Sequence, residues 1–118
     1  MTTPSKDYTA DAPPRDQVDA TKGVQVLEFG TGWCGICAAA QPKIAAAFAQ
    51  HAGIPHLKVE DGPGRPLGRS FKVKLWPTLI FLFDGQEVDR LVRPTDAQPI
   101  KQALERLALR AGAGADSA

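Results

Sequence analysis

The chain has two cysteines, and they stand three residues apart in Trp33-Cys34-Gly35-Ile36-Cys37. Two thiols at this spacing can close a small disulfide ring and reopen it by exchange, passing two electrons to another protein. A stabilising staple is placed differently, because bridging residues three apart removes little loop entropy from the unfolded chain. Covalent haem attachment is excluded, since Ala38 rather than His follows Cys37. A half zinc site is the competing use of the pair, with His51 and His56 as the further ligands available.

The flanking elements would position this pair. Val24 to Phe29 (VQVLEF) is a β-rich run of the length of a strand buried on both faces. Ala38 to Gln50 follows Cys37, with Cys37, Ala40, Ile44, Ala47 and Phe48 at helical spacing, so the dithiol falls in the first turn of a long helix that Pro42 is expected to kink. Unpaired backbone N–H groups at that helix start face Cys34, which marks it as the attacking sulfur. Cys37, one turn further in, reads as the deeper resolving thiol.

The remaining elements follow in order. Arg15 to Ala20 can start a short helix after Pro13-Pro14. Ile54 to Val59 is a second strand, Pro66 to Phe71 a short helix or turn, and Thr78 to Phe83 a third strand. Asp84-Gly85 turns the chain into an antiparallel partner, Gln86 to Val92. Thr95 is the expected N-cap of a last helix, with Gln98 three residues on, Pro99 in the first turn and Ile100, Ala103, Leu104 and Leu107 as its apolar stripe. Residues 1–19 form an arm whose first dozen residues read as flexible or as a weak edge strand, residues 20–110 the domain, and residues 111–118 a flexible tail. The predicted fold class is α/β, a central mixed sheet flanked by helices on both faces.

Composition narrows the function. A chain of 118 residues, 43% hydrophobic, is long enough to bury a core without disulfide support, and a net charge of +1 argues against nucleic-acid or membrane-surface roles. Its densest basic stretch, Arg65, Arg69, Lys72 and Lys74, reads as a solvated face, with docking of acidic partners as the sharper alternative. Neither a basic-then-apolar leader nor a run of about 18 apolar residues occurs, so the expectation is a cytoplasmic monomer. There a close cysteine pair is kept reduced, which favours catalytic or metal-binding use.

Trp-Cys-Gly-x-Cys at 33–37, Pro42 five residues after the second cysteine, and Trp76-Pro77-Thr78 ahead of the third strand together resemble the thioredoxin family over roughly residues 20–110. The resemblance implies a protein-disulfide oxidoreductase. Cys34 would attack a substrate disulfide and Cys37 would resolve the mixed disulfide. The only redox group would be the Cys34–Cys37 disulfide itself, recycled by a thioredoxin-reductase-type flavoenzyme. The family fold would keep His51 and His56 away from the cysteines, so no metal is expected and each His reads as a surface residue.

Glu28 interrupts the first strand six residues before Cys34. Burial should raise its pKa, and the resemblance implies that it accepts and returns the proton of Cys37, with Lys58 on the neighbouring strand as a partner that tunes it. The resemblance also implies a cis Pro77 facing the dithiol, with Trp33, Gly35, Ile36, Trp76, Thr78 and Arg93 lining the substrate groove.

Three departures from the family pattern bear on specificity. Ile36 stands where thioredoxins carry Pro, Gly30-Thr31-Gly32 replaces a bulkier run and suggests an opener approach, and Arg93 replaces a glycine beside the groove. These departures leave open a second class of function, a redox-sensing or partner-binding module without general turnover.

Overall fold

The computed structural model describes residues 8–116. Eight elements follow one another: α1 Arg15–Ala20, β1 Val24–Gly30, α2 Gly35–Phe48, β2 His56–Glu60, α3 Pro66–Ser70, β3 Thr78–Phe83, β4 Gln86–Val92 and α4 Ala97–Asp116. The strands form one mixed sheet in the order β2-β1-β3-β4. β1 runs parallel to β2 and antiparallel to β3, and β3 runs antiparallel to β4.

The central strands β1 and β3 are apolar on both sides because helices cover both faces of the sheet. Alternation along the strands divides the core in two. Val26, Leu79 and Phe81 face α2 and α4, where they meet Ala40, Ile44, Ala47, Ile100, Ala103, Leu104 and Leu107. Leu27, Phe29, Ile80 and Leu82 face α1 and α3, where they meet Val18, Leu67 and Phe71. The same alternation turns Glu28 and Gly30 toward the α2 face, the face that carries Cys37.

The β3–β4 turn is built from Asp84 and Gly85, both at positive φ (51° and 80°), the pairing that matches the twist of a two-residue hairpin. Gly85 is also demanded by packing, since a Cβ there would stand 2.0 Å from the Asp19 carbonyl oxygen. Asp84 Oδ1 accepts the Gly23 N–H at 2.7 Å and ties the hairpin to the start of β1.

Several element ends differ from the sequence expectation, β2 for instance running His56–Glu60 rather than Ile54–Val59 and α2 ending at Phe48 rather than Gln50. α2 begins at Gly35 with Cys34 as its N-cap, so Cys34 lies just outside the helix and Cys37 inside it. α4 begins at Ala97, which puts Asp96 rather than Thr95 next to its first turn; Thr95 instead uses its carbonyl to accept Lys43 Nζ at 2.9 Å. α4 also continues through Asp116, into the segment expected as a tail. Of the N-terminal arm, residues 1–7 lie outside the described residues. Thr9 makes a single parallel bridge to Val59, its N–H donating to the Lys58 carbonyl at 2.9 Å and its carbonyl accepting from Glu60 at 2.8 Å.

Candidate active site

The chain leaves the sheet at Gly30, crosses Thr31–Trp33 and enters α2, and this turn presents the two thiols. Both cysteines are free. Cys34 is half-buried in extended backbone (φ −84°, ψ 115°), and its Sγ accepts the backbone N–H of Cys37 at 3.1 Å, taking up one of the unpaired donors of the helix start. Cys37 is only 1% exposed. Burial, reinforced by the hydrogen bond to Cys34, pushes its thiol up to about 11, so near neutral pH it holds its proton and needs a base to release it.

Glu28 is fully buried and each carboxylate oxygen is engaged. His56 Nε2 lies 2.8 Å from Oε1; a carboxylate can only accept here, so Nε2 carries the proton of that bond. Gln41 Nε2 donates to Oε2 at 2.9 Å, and the Tyr8 hydroxyl donates to the same oxygen. Burial alone drives the Glu28 pKa upward, as expected from sequence, but the hydrogen bonds from His56, Gln41 and Tyr8 outweigh it and hold the carboxyl below its ordinary value. The expected raised pKa is thus corrected.

His56 is corrected as well. Its side chain is 20% exposed rather than free at the surface; its ring stacks on Phe48 (centroids 4.1 Å apart, 10° between planes) and bonds the buried carboxylate. Lys58 sits opposite Glu28 in the parallel register, and its Nζ donates to Gln41 Oε1 at 2.6 Å, so the lysine joins the carboxylate through the Gln41 amide. Among the described residues, no group of three or more His, Cys, Asp or Glu side chains is placed to hold a metal ion.

The outer rim of the dithiol is apolar and exposed. Trp33 is 78% exposed and packs edge-on against Trp76, with ring centroids 5.6 Å apart; Ile36 and Leu75 are also open to solvent. Trp76 is half-buried, anchored by its indole N–H donating to Asp61 Oδ2 at 2.8 Å. The Trp76–Pro77 peptide is cis. Arg93 has φ +51°, the left-handed region that glycine occupies freely, which accounts for glycine as the family's usual residue there. Its Nε donates to the Trp76 carbonyl at 2.9 Å, and with Ile36, Lys43 and Thr95 it lines a cleft of about 300 Å³.

Two further expectations meet the structure differently. Thr78 is buried, its hydroxyl donating to the Leu75 carbonyl at 2.6 Å, so its side chain faces the interior. Of the run Gly30-Thr31-Gly32, the space beside Gly30 is filled by Tyr8 and Cys37, whereas the space beside Gly32 is open. Arg65, Arg69, Lys72 and Lys74 line a separate cleft of about 400 Å³ that reaches Trp76.

The sequence reading missed three residues around Glu28. His56 was within reach, since strand alternation puts residues 56 and 58 on one face and Lys58 had been placed beside Glu28. Gln41 follows Cys37 by one helical turn, which puts both on the same face of α2. Tyr8 gave no signal, because its arm carries no periodic pattern.

The family model described as Thioredoxin matches residues 8–106. The chain belongs to the thioredoxin family. Its sheet order, flanking helices and dithiol position are those of the thioredoxin fold. Among solved structures, thioredoxin 2 from Pseudomonas aeruginosa PAO1 in its reduced form is 55% identical, with a TM-score of 0.79 over 91% of this chain and 96% of that one. A thioredoxin of Staphylococcus aureus is 32% identical over 87 residues, 71% of this chain and 82% of its own length. Thioredoxin H-type 1 of Nicotiana tabacum is 33% identical over 72 residues, 61% of this chain; the match spans little more than half (57%) of that relative. No helix among the described residues is long and apolar enough to cross a membrane.

Proposed function

We propose that this thioredoxin-family chain is a protein thiol–disulfide oxidoreductase that acts mainly as a reductant. The Cys34 thiolate attacks a substrate disulfide; a Cys34–substrate disulfide forms, the substrate S–S bond breaks, and one substrate sulfur leaves as a thiolate. Cys37 gives up its proton toward Glu28 and attacks the Cys34 sulfur. The Cys34–Cys37 disulfide closes and the second substrate sulfur leaves, so the substrate gains the two electrons that the dithiol loses.

The observation that carries this reading is the asymmetry of the pair. Cys34 is reachable from the apolar rim of Trp33 and Ile36, whereas Cys37 is sealed beneath it on the face of the sheet that carries Glu28. Gly35 leaves the space beside Cys34 clear, and the backbone around Pro77 offers an extended segment a strand-like partner. The substrates are disulfide-bearing proteins, and no resident cofactor is needed beyond the Cys34–Cys37 couple. Recycling by a thioredoxin-reductase-type flavoenzyme, a cytoplasmic location and a monomeric state complete the proposal, in keeping with a chain whose only cysteines form one close pair.

Reduced protein should cleave insulin disulfides and, with NADPH and a thioredoxin reductase, do so catalytically. Absence of insulin reduction by the intact dithiol would sink the proposal.

A further inference from the structure

Tyr8, the chain's only tyrosine, stands where the dithiol meets the buried carboxylate. Its arm is pinned along β2 by the backbone bonds of Thr9 to Lys58 and Glu60. The Tyr8 hydroxyl donates to Glu28 Oε2 and accepts the Gln41 Nε2 hydrogen at 3.1 Å, and it lies beside the Cys37 thiol in the space that Gly30 leaves open. Lys58 Nζ stands 4.9 Å from the ring centroid on the same side of the sheet. Gly30 makes the meeting possible: a Cβ there would lie 2.6 Å from Tyr8 Cζ and 2.8 Å from both Tyr8 Oη and Cys37 Sγ, so that the tyrosine or the thiol would have to shift. The ring and the sulfur occupy the place of a missing side chain.

We propose that Tyr8 carries the proton of Cys37 to Glu28 during resolution of the mixed disulfide. This rests on the dithiol exchange proposed above and names the path of its proton. The Tyr8 O–H passes its hydrogen to Glu28 Oε2 as the oxygen takes the hydrogen of the Cys37 thiol. Cys37 becomes the thiolate that attacks Cys34, Glu28 becomes the carboxylic acid, and Tyr8 ends as the neutral phenol it was. The two transfers are paired because burial and the adjacent Glu28 charge hold the phenol far above its ordinary value, so no free phenolate forms. A pocket of about 200 Å³ lined by Tyr8, Thr31, Gly32, both cysteines, Ala38 and Gln41 opens on this junction and gives solvent a route to return the proton.

The test is single-turnover kinetics of the full chain and its Tyr8→Phe variant, following attack by Cys34 and release of the second substrate thiol separately. Attack should be unchanged and release slowed on the order of 10-fold, with added imidazole accelerating release in Y8F but not in the unaltered protein. Release at the unaltered rate, equal slowing of both steps, or slowed release that imidazole does not rescue would each overturn the role. If Y8F does not fold, the unaltered protein decides: release should slow in D2O, and release insensitive to D2O overturns the relay. Failure of the unaltered protein to reduce insulin would instead remove the underlying reading. Insulin reduction with Y8F indistinguishable from it removes Tyr8 alone.

Discussion

His56 and Glu28 are joined across neighbouring parallel strands, Nε2 to Oε1 at 2.8 Å, beneath the dithiol. The bond changes what Glu28 is at rest. A buried carboxyl without partners would be held neutral and could not accept a proton, whereas one that receives hydrogen bonds from His56, Gln41 and Tyr8 stays charged and ready to accept. The carboxylate therefore rests charged and able to accept a hydrogen, while the Cys37 thiol, held up near 11, keeps its proton.

Replacing Glu28 by Gln should consequently slow the second chemical step. Release of the final substrate thiol is expected to fall by about 100-fold, the usual reach of a positioned base, while the first attack by Cys34 stays within a few-fold of the unaltered rate. Single-turnover kinetics separate the two. Equal release rates would leave Glu28 with a structural role only.

The same hydrogen bonds make stability depend on acid. The folded-state pKa of Glu28 lies below the unfolded value of 4.5, so its contribution is present in full above pH 4.5 and is lost as pH falls through the lower folded value. At neutral pH, Glu28→Gln should cost about 1–3 kcal/mol, because the amide cannot accept from all three donors. Denaturant unfolding should show that difference shrinking below pH 4.5. A pH-independent difference would contradict the sign of the shift.

Ile36 occupies the second position of α2, where an N–H has no partner within the helix, so Pro would fit without losing a helical bond. Fixing φ between the cysteines removes open-dithiol conformations and favours the closed ring. Ile36→Pro should therefore move the midpoint potential to a more reducing value by roughly 30 mV, the equivalent of about 1.4 kcal/mol in a two-electron couple. Equilibration with a glutathione or dithiothreitol couple reads the shift directly, and an unchanged potential removes Ile36 from control of the couple.

Much of this was legible in the chain itself, for physical reasons that differ by residue. Val24–Phe29 and Thr78–Phe83 are mostly apolar runs of strand length, the pattern of a strand covered on both faces; Cys34 and Cys37 point to redox chemistry once their spacing is joined to Trp33, Pro42 and Trp76-Pro77. The polar surroundings of Glu28 were less legible. Tyr8, Gln41 and His56 come from an irregular arm, a helix and a strand, and nothing local says that they converge on one carboxylate. The direction of the Glu28 pKa failed for that reason, since burial can be read from a strand pattern but the donors that counteract it arrive through tertiary structure. Thr78, which the resemblance placed at the groove, turns its side chain inward, its hydroxyl donating to the Leu75 carbonyl.

The order of the two sulfurs is the central claim, and trapping tests it most directly. Reduced Cys37→Ser protein mixed with a disulfide-bearing substrate should accumulate a covalent complex through Cys34, seen by mass spectrometry under non-reducing conditions, while Cys34→Ser should accumulate none. A complex formed through Cys37 in the Cys34→Ser protein, with none through Cys34 in the Cys37→Ser protein, would contradict the account.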